Sequence, residues 1–407
     1  MTDFGHRKTK SAIHVKTMNG EPVKNAKIEI RQKSHEFLFG CGAFDIQAYT
    51  MDLIPGKRDL FEKKTELWLD VFNYATIPVY WALFEHEEDK PFILLLENTL
   101  SFLKEKNVVI KGHPLCWHTL CPEWLLKYDN PTILEKLLKR IDRDVSCFAG
   151  SIDIWDVINE VVIMPKFDKY DNAMTRICNE YGQVELVKKV FAEARKINPE
   201  AKLLINDFNT SKAYEELIER CLDAGVEFSA IGIQSHQHQG YWGLDKLHDV
   251  LQRFSRFGIP LHFTENTILS GEPVPPEIED LNDWKVEEWP TLPELEEEQS
   301  EQLEEMYTVL FDHPLVEAIT QWDLTDGAWL HAPSGLIRTN NTDKPAYRML
   351  KKKIKDEWFT KSYNTVTDDN GVALVEGFKG RYDLIINGQT QELILDGRSD
   401  ELTVIID

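Results

Sequence analysis

No stretch of this chain stays apolar long enough to cross a bilayer, and Met1 to Lys10 holds no apolar core of the length a secretion signal needs. The chain is therefore expected to be soluble, working inside the cell or after loss of an export signal. Cysteine is sparse, and the six residues at 41, 116, 121, 147, 178 and 221 form no CxxC pair. That spacing argues against a disulfide framework and leaves buried or free thiols, with Cys116 and Cys121 near enough in sequence to meet. Positive charge is in deficit, 46 Lys and Arg against 69 Asp and Glu, so nucleic acid and anionic membranes are poor partners and a neutral substrate fits better. No ligand cluster for a metal stands out and no Gly-rich phosphate loop follows a strand, so neither a metal nor another cofactor is expected.

The 407 residues instead contain a long alternation of strand-like and helix-like segments. Eight strand candidates run Phe37 to Phe44, Tyr74 to Ile77, Val108 to His113, Ile152 to Asn159, Lys202 to Asn206, Ala230 to Ser235, Leu261 to Glu265 and Ala318 to Trp322. Helical patterns fit between them, as at Asp59 to Phe72, Ile133 to Phe148, Val184 to Ile197, Ala213 to Ala224 and Glu296 to Phe311. Eight such units predict an α/β fold, a closed (β/α)8 TIM barrel, over residues 36–357. Residues 1–35 alternate around Asn19-Gly20-Glu21-Pro22 and predict a β-hairpin, and residues 358–407 predict a small β module. The two termini are expected to pair as one accessory sheet. One connection is unusually long: from Ile268 to Pro293 it carries Trp284, Trp289, three prolines before Glu277 and many acids, which predicts an ordered excursion over the barrel mouth.

In such a barrel the C-terminal ends of the strands form the working face. In Trp155-Asp156-Val157-Ile158-Asn159-Glu160 an apolar run stops at an amide and a carboxylate, and Glu265 closes a second short apolar run. One Asn-Glu pair would more often be a helix cap or a solvated loop acid. Two carboxylates at two strand ends suit glycoside hydrolysis instead, one protonating the leaving oxygen while the other attacks the anomeric carbon or activates water. A separation of about 5–5.5 Å would retain configuration and a wider one invert it. Other strand ends carry His113, Trp117, Gln234, His236, Trp322 and Trp329, amide, imidazole and indole groups that suit the hydroxyls and apolar faces of sugars.

With GHPLCWH at 112–118, WDVINE at 155–160, INDFN at 205–209, GIQSH at 232–236, FTE at 263–265, QWDLTDGAWL at 321–330 and KPAY at 344–347, the chain resembles glycoside hydrolase family 10, the β-1,4-xylanases. The resemblance covers about residues 20–357 and implies a retaining endo-β-1,4-xylanase acting on xylan or xylo-oligosaccharides. Glu160 would be its acid/base and Glu265 its nucleophile. It further implies that Asn159 holds a 2-hydroxyl, that Gln234 and His236 bind near the nucleophile, and that His113 and Trp117 line the sugar being attacked. Trp322 and Trp329 would be its platform and roof. Phe208 stands where the family often has a tyrosine on the leaving-group side, with Asn209 beside it. Two departures stand out. After strand two the usual Glu-Asn pair, lysine and tryptophan are missing, and Tyr80, Trp81 and Glu85 are the candidates to replace those contacts. Two residues past Glu265 the family commonly has an acid that orients the strand-six histidine, whereas this chain has Thr267, so His236 is expected to lose a partner. The alternatives are exo action or a short-oligosaccharide preference, another β-linked glycan, or a catalytically inactive sugar-binding barrel.

Overall fold

The computed structural model describes residues 4–278, 280–398 and 401–406, which divide into two compact units. One takes the chain up to Leu38, Thr308–Pro314 and the chain from Arg348; the other takes Phe39–Tyr307 and Leu315–Tyr347. Two strands open the chain, β1 (Lys8–Thr17) and β2 (Lys27–His35). Eight more follow, in the second unit from Phe39 on: β3 (Leu38–Gly42), β4 (Tyr74–Pro78), β5 (Val109–His113), β6 (Ile154–Asn159), β7 (Lys202–Asp207), β8 (Ala230–Ile233), β9 (Leu261–Asn266) and β10 (Val316–Gln321). The last five are β11 (Tyr363–Val366), β12 (Val372–Phe378), β13 (Gly380–Ile386), β14 (Gln389–Leu395) and β15 (Glu401–Ile406).

Strands β3 to β10 close into a barrel in chain order, and the registers are parallel throughout. The reason is visible in burial: most positions of every barrel strand are buried, as in strands covered on both faces, and each carries apolar residues at its centre or start. β6 and β9 are buried at every position. The connecting helices alternate instead with a 3.6-residue period. The helix Asn130–Phe148, capped by the Asp129 carboxylate on the Thr132 N–H, turns Ile133, Leu137, Ile141, Val145 and Phe148 inward. Its buried Arg140 donates to the carbonyls of Val79 at 2.5 Å, Pro114 at 3.1 Å and Leu115 at 2.6 Å. A guanidinium satisfies three buried acceptors at once, which fixes the loop that leaves β5.

The first unit corrects one expectation. β1 and β2 do not pair as a hairpin but enter different sheets. The turn at Asn19-Gly20 does form, with Gly20 at φ +82° and the Thr17 N–H on the Glu21 carbonyl. The chain then reverses again at Asn25, φ +52°, and leaves for the second sheet. β1 lies between β12, antiparallel, and β15, parallel; β2 lies between β11 and β13, with β14 beyond. The termini therefore form two sheets, not one. Each strand has a single apolar face, and facing two sheets buries both sets: Ile13, Val15, Ile28, Ile30, Val375, Leu384 and Ile386 share one core. Tyr382 and Phe378 are buried as well.

Candidate active site

The ends of β5, β6, β7 and β9 bring polar groups into the barrel mouth: Lys111 and His113, Asp156 and Asn159, Asn206 and Asp207, and Glu265, all of them buried. Buried charges persist only when paired. Asp156 Oδ2 meets the Lys111 ammonium at 2.7 Å and His113 Nδ1 at 2.7 Å. Burial pushes the Asp156 carboxyl up, but Lys111 and His113 outweigh it and hold the group below the usual aspartate value. His113 Nδ1 also lies 3.9 Å from Glu265 Oε1.

Both oxygens of Glu265 are occupied. Oε1 accepts Asn206 Nδ2 at 2.7 Å and Oε2 meets His236 Nε2 at 3.1 Å. Burial again acts upward, but His113, His236 and Lys111 together bring this carboxyl below the ordinary glutamate value. Asn206 is the hinge of the network. Its Nδ2 also donates to Asn159 Oδ1 at 2.8 Å, and its Oδ1 accepts Thr264 Oγ1 at 2.7 Å. Only glycine leaves room beside it, because a Cβ at Gly232 would come within 2.4 Å of Asn206 Oδ1.

Glu160 sits one residue past β6 with φ +54°, a left-handed backbone that a non-glycine residue adopts only under constraint. Its N–H donates to the Asn206 carbonyl at 2.8 Å, which supplies that constraint. With 15% of its side chain exposed, Glu160 takes Trp117 Nε1 on Oε2 at 2.8 Å, and Asn159 Nδ2 at 3.2 Å and Gln234 Nε2 at 3.4 Å on Oε1. Among the described residues its one basic neighbour is His118, whose Nε2 stands 4.0 Å away. Burial brings His118 down to about 4, so it is neutral near pH 7. Glu160 is therefore pushed up to about 8, by burial first and by the charges of Glu265 and Asp207, against the opposing Trp117 and Gln234 hydrogen bonds. The site thus holds a protonated carboxyl and an ionised one, linked through Asn159 and Asn206, which is the pairing that acid-assisted nucleophilic displacement requires.

Aromatic rings complete the mouth. Trp322 is buried with its ring centroid 5.4 Å from His113 and 6.0 Å from His236, and Trp329 lies over His236 at 4.2 Å. Tyr80 packs 5.9 Å from His113 and 5.6 Å from Trp117. Burial, with the charges of Glu265 and Glu160, drives the Tyr80 hydroxyl well above its ordinary value, which places it in the field of both carboxylates.

A model of glycosyl hydrolase family 10 matches residues 83–353. The chain belongs to that family. A β-1,4-xylanase of Dictyoglomus thermophilum is 28% identical over 58% of this chain and 66% of its own length. An anti-sigma-I factor of Acetivibrio thermocellus is 24% identical over 93% of this chain and 45% of its own. The chain thus spans about two thirds of the first relative and under half of the second. Native xylanase 10B of Thermotoga maritima superposes with a TM-score of 0.64 at 23% identity, over 79% of this chain and 96% of that one, which shows the barrel fold they share.

Within this family-10 barrel the mouth gathers Glu160, Glu265, Asn159, His113, Trp117, Gln234, His236, Trp322, Trp329 and Tyr80. Trp81 and Glu85 are not free to replace the missing strand-two contacts. Trp81 Nε1 donates to Glu85 Oε2 at 2.9 Å, Arg143 Nη1 reaches the same oxygen at 2.7 Å, and the Asp89 N–H takes Oε1 at 2.8 Å. Both residues are buried in that network, with the Trp81 ring under the Arg140 guanidinium at 5.0 Å. Phe208 is 46% exposed past β7, and the Asn209 amide oxygen is used by the Ser211 N–H at the start of the next helix. Nor is His236 without a partner: Thr267 Oγ1 lies 3.3 Å from its Nδ1, and His238 Nδ1 lies 3.2 Å from that hydroxyl. A hydroxyl both donates and accepts, so a threonine can join two imidazoles where a carboxylate would only accept. Lys111, Asp156 and Asn206 escaped sequence reasoning as site residues. Their signal was a charge or amide inside an otherwise apolar strand.

Proposed function

We propose that the chain is a retaining glycosidase that cleaves β-1,4-xylosidic bonds of xylan and xylo-oligosaccharides, an endo-1,4-β-xylanase reaction, with Glu160 as acid/base and Glu265 as nucleophile. The observation that carries this reading is the opposite bias of the two carboxyls, Glu160 held near 8 and Glu265 below its ordinary value. Family membership supports the reaction class, and the xylanase relatives support the substrate.

The Glu265 carboxylate attacks the anomeric carbon as the glycosidic C–O bond breaks, and the Glu160 proton passes to the departing oxygen. His236 and Asn206 hold Glu265 in line through its two oxygens. Water then attacks the same carbon, Glu160 takes its proton, and the bond to Glu265 breaks. Trp117 donates to Glu160 Oε2 and steadies the carboxylate that exists between the two steps. The Asn159 amide, oriented by Asn206 and Gln234 on its oxygen, has its Nδ2 on Glu160 Oε1, which leaves its second N–H for a hydroxyl of the sugar that Glu265 attacks. Trp322 and Trp329 offer apolar ring faces to that sugar.

The test is proton NMR of the first product from xylotetraose. A β-anomer appearing before mutarotation supports double displacement, and an α-anomer contradicts it. Absence of hydrolysis on xylan, xylo-oligosaccharides and other β-glycans alike would favour a sugar-binding barrel.

A further inference from the structure

The segment after β9 leaves the site at Ile268 and returns at Leu292. It is closed at its root, where the Leu292 N–H reaches the Ser270 carbonyl at 2.7 Å and the Ser270 and Thr291 hydroxyls meet at 2.6 Å. It is held in its middle by Gln239, from the loop after β8, whose Nε2 donates to the carbonyls of Pro275 at 3.2 Å and Ile278 at 2.8 Å. At its far point Asp280 Oδ2 and Asp283 Oδ1 take the Lys169 ammonium at 2.6 and 2.8 Å. Lys169 belongs to the loop after β6, and β7 and β8 separate β6 from β9 in the barrel. The ion pairs therefore span that arc of the mouth.

The side spanned is identified by its neighbours. Phe167 packs on His118 at 4.5 Å and Tyr170 on Phe167 at 4.8 Å, while His118 stands 4.0 Å from Glu160 Oε2. Lys169, which Asp280 and Asp283 hold, precedes Tyr170 in the chain, which places the crossing segment beside this aromatic wall. An acid must stand beside the oxygen that departs, so the wall that adjoins Glu160 flanks the leaving group.

We propose that Lys169, with Asp280 and Asp283, is a specificity determinant: the clasp closes the leaving-group side of the mouth and favours short xylo-oligosaccharides over internal bonds of long xylan. The inference rests on the glycosidase reading above. A polymer must thread past the clasp on the departing side, whereas a short leaving group ends before it. Lys169 is 38% exposed and Asp283 65%, so the pairs are worth little to overall stability and salt weakens them.

Lys169→Ala and Lys169→Arg test this against the unaltered full chain, with kcat/KM measured on linear xylan and on xylotriose. The expected result is that Lys169→Ala raises the xylan-to-xylotriose ratio about tenfold while the xylotriose value stays within about twofold. Lys169→Arg should keep the original ratio, because a guanidinium still reaches both carboxylates. Adding salt should raise the ratio in the unaltered chain and leave Lys169→Ala unmoved. An unchanged ratio in Lys169→Ala, with both substrates hydrolysed, overturns the clasp and spares the glycosidase reading. Failure of the unaltered chain to hydrolyse either substrate overturns both.

Discussion

Glu265 has an imidazole and an amide on its oxygens and is pulled down by Lys111 and the His113 imidazole, whereas Glu160 has an indole and two amides and a neutral histidine at 4.0 Å. Both carboxyls are largely buried and share Asn159 and Asn206 as intermediaries. What separates them is the set of groups within reach, Lys111 and two imidazoles acting downward on Glu265 and only the Trp117 and Gln234 hydrogen bonds acting downward on Glu160. Burial raises a carboxyl unless a cation or a set of donors reverses it, and here the reversal is applied on one side only. The cleft therefore stays asymmetric at a pH where two free glutamates would both be ionised.

Removing the groups in turn should collapse this asymmetry by decreasing amounts. Glu265→Gln removes the nucleophile, and kcat on xylan should fall by about 10⁵-fold in a reducing-sugar assay. Glu160→Ala should lower kcat on xylan by about 10²–10⁴-fold but slow an aryl xylobioside with a good leaving group far less, with azide restoring turnover as the β-glycosyl azide. Lys111→Met should move the acid limb of the pH profile upward, since Glu265 loses a cation. It should also destabilise the fold by about 3–5 kcal/mol in denaturant melts, because Asp156 keeps its buried charge with one partner fewer. The smallest effect is expected from Trp117→Phe. Losing the Nε1–H donor at 2.8 Å should raise Glu160 further and shift the alkaline limb upward, with a change in kcat of about fivefold.

Linkage gives the sign of a companion effect on stability. Glu160 goes from an ordinary value near 4.5 unfolded to about 8 folded, so the folded state binds the proton more tightly. The Glu160 contribution to stability should thus decline as pH rises from 4.5 through 8, and Glu160→Gln should be relatively more stable at pH 9 than at pH 5.

The barrel was legible because its signals are local: a parallel strand buried on both faces reads as an apolar run, and a strand end reads as the place where that run stops. Glu160 and Glu265 were visible for the same reason, each standing where apolar sequence gives way. The pairing of β1 and β2 was not legible, because Asn19-Gly20 marks a reversal without saying which strand lies alongside. The burial of both apolar faces decided that at long range. Trp81 and Glu85 were misread because residue type alone does not reveal that Arg143 and the Asp89 N–H already occupy the carboxylate. Thr267 reads as a loss in the sequence, since its hydroxyl contact to His236 depends on how β8 and β9 end side by side. Asn206 does not stand out within INDFN in the sequence. An amide inside an apolar strand is ambiguous until its neighbours are known.

The most direct test of the asymmetry is kcat/KM against pH for an aryl xylobioside with a poor leaving group, in the unaltered chain and in Glu160→Ala. The account predicts a bell whose acid limb lies below 4.5, from Glu265, and whose alkaline limb lies near 8, from Glu160, with the alkaline limb absent in Glu160→Ala. An alkaline limb that persists unchanged in Glu160→Ala would contradict it, because the group lost near pH 8 would then be some other residue.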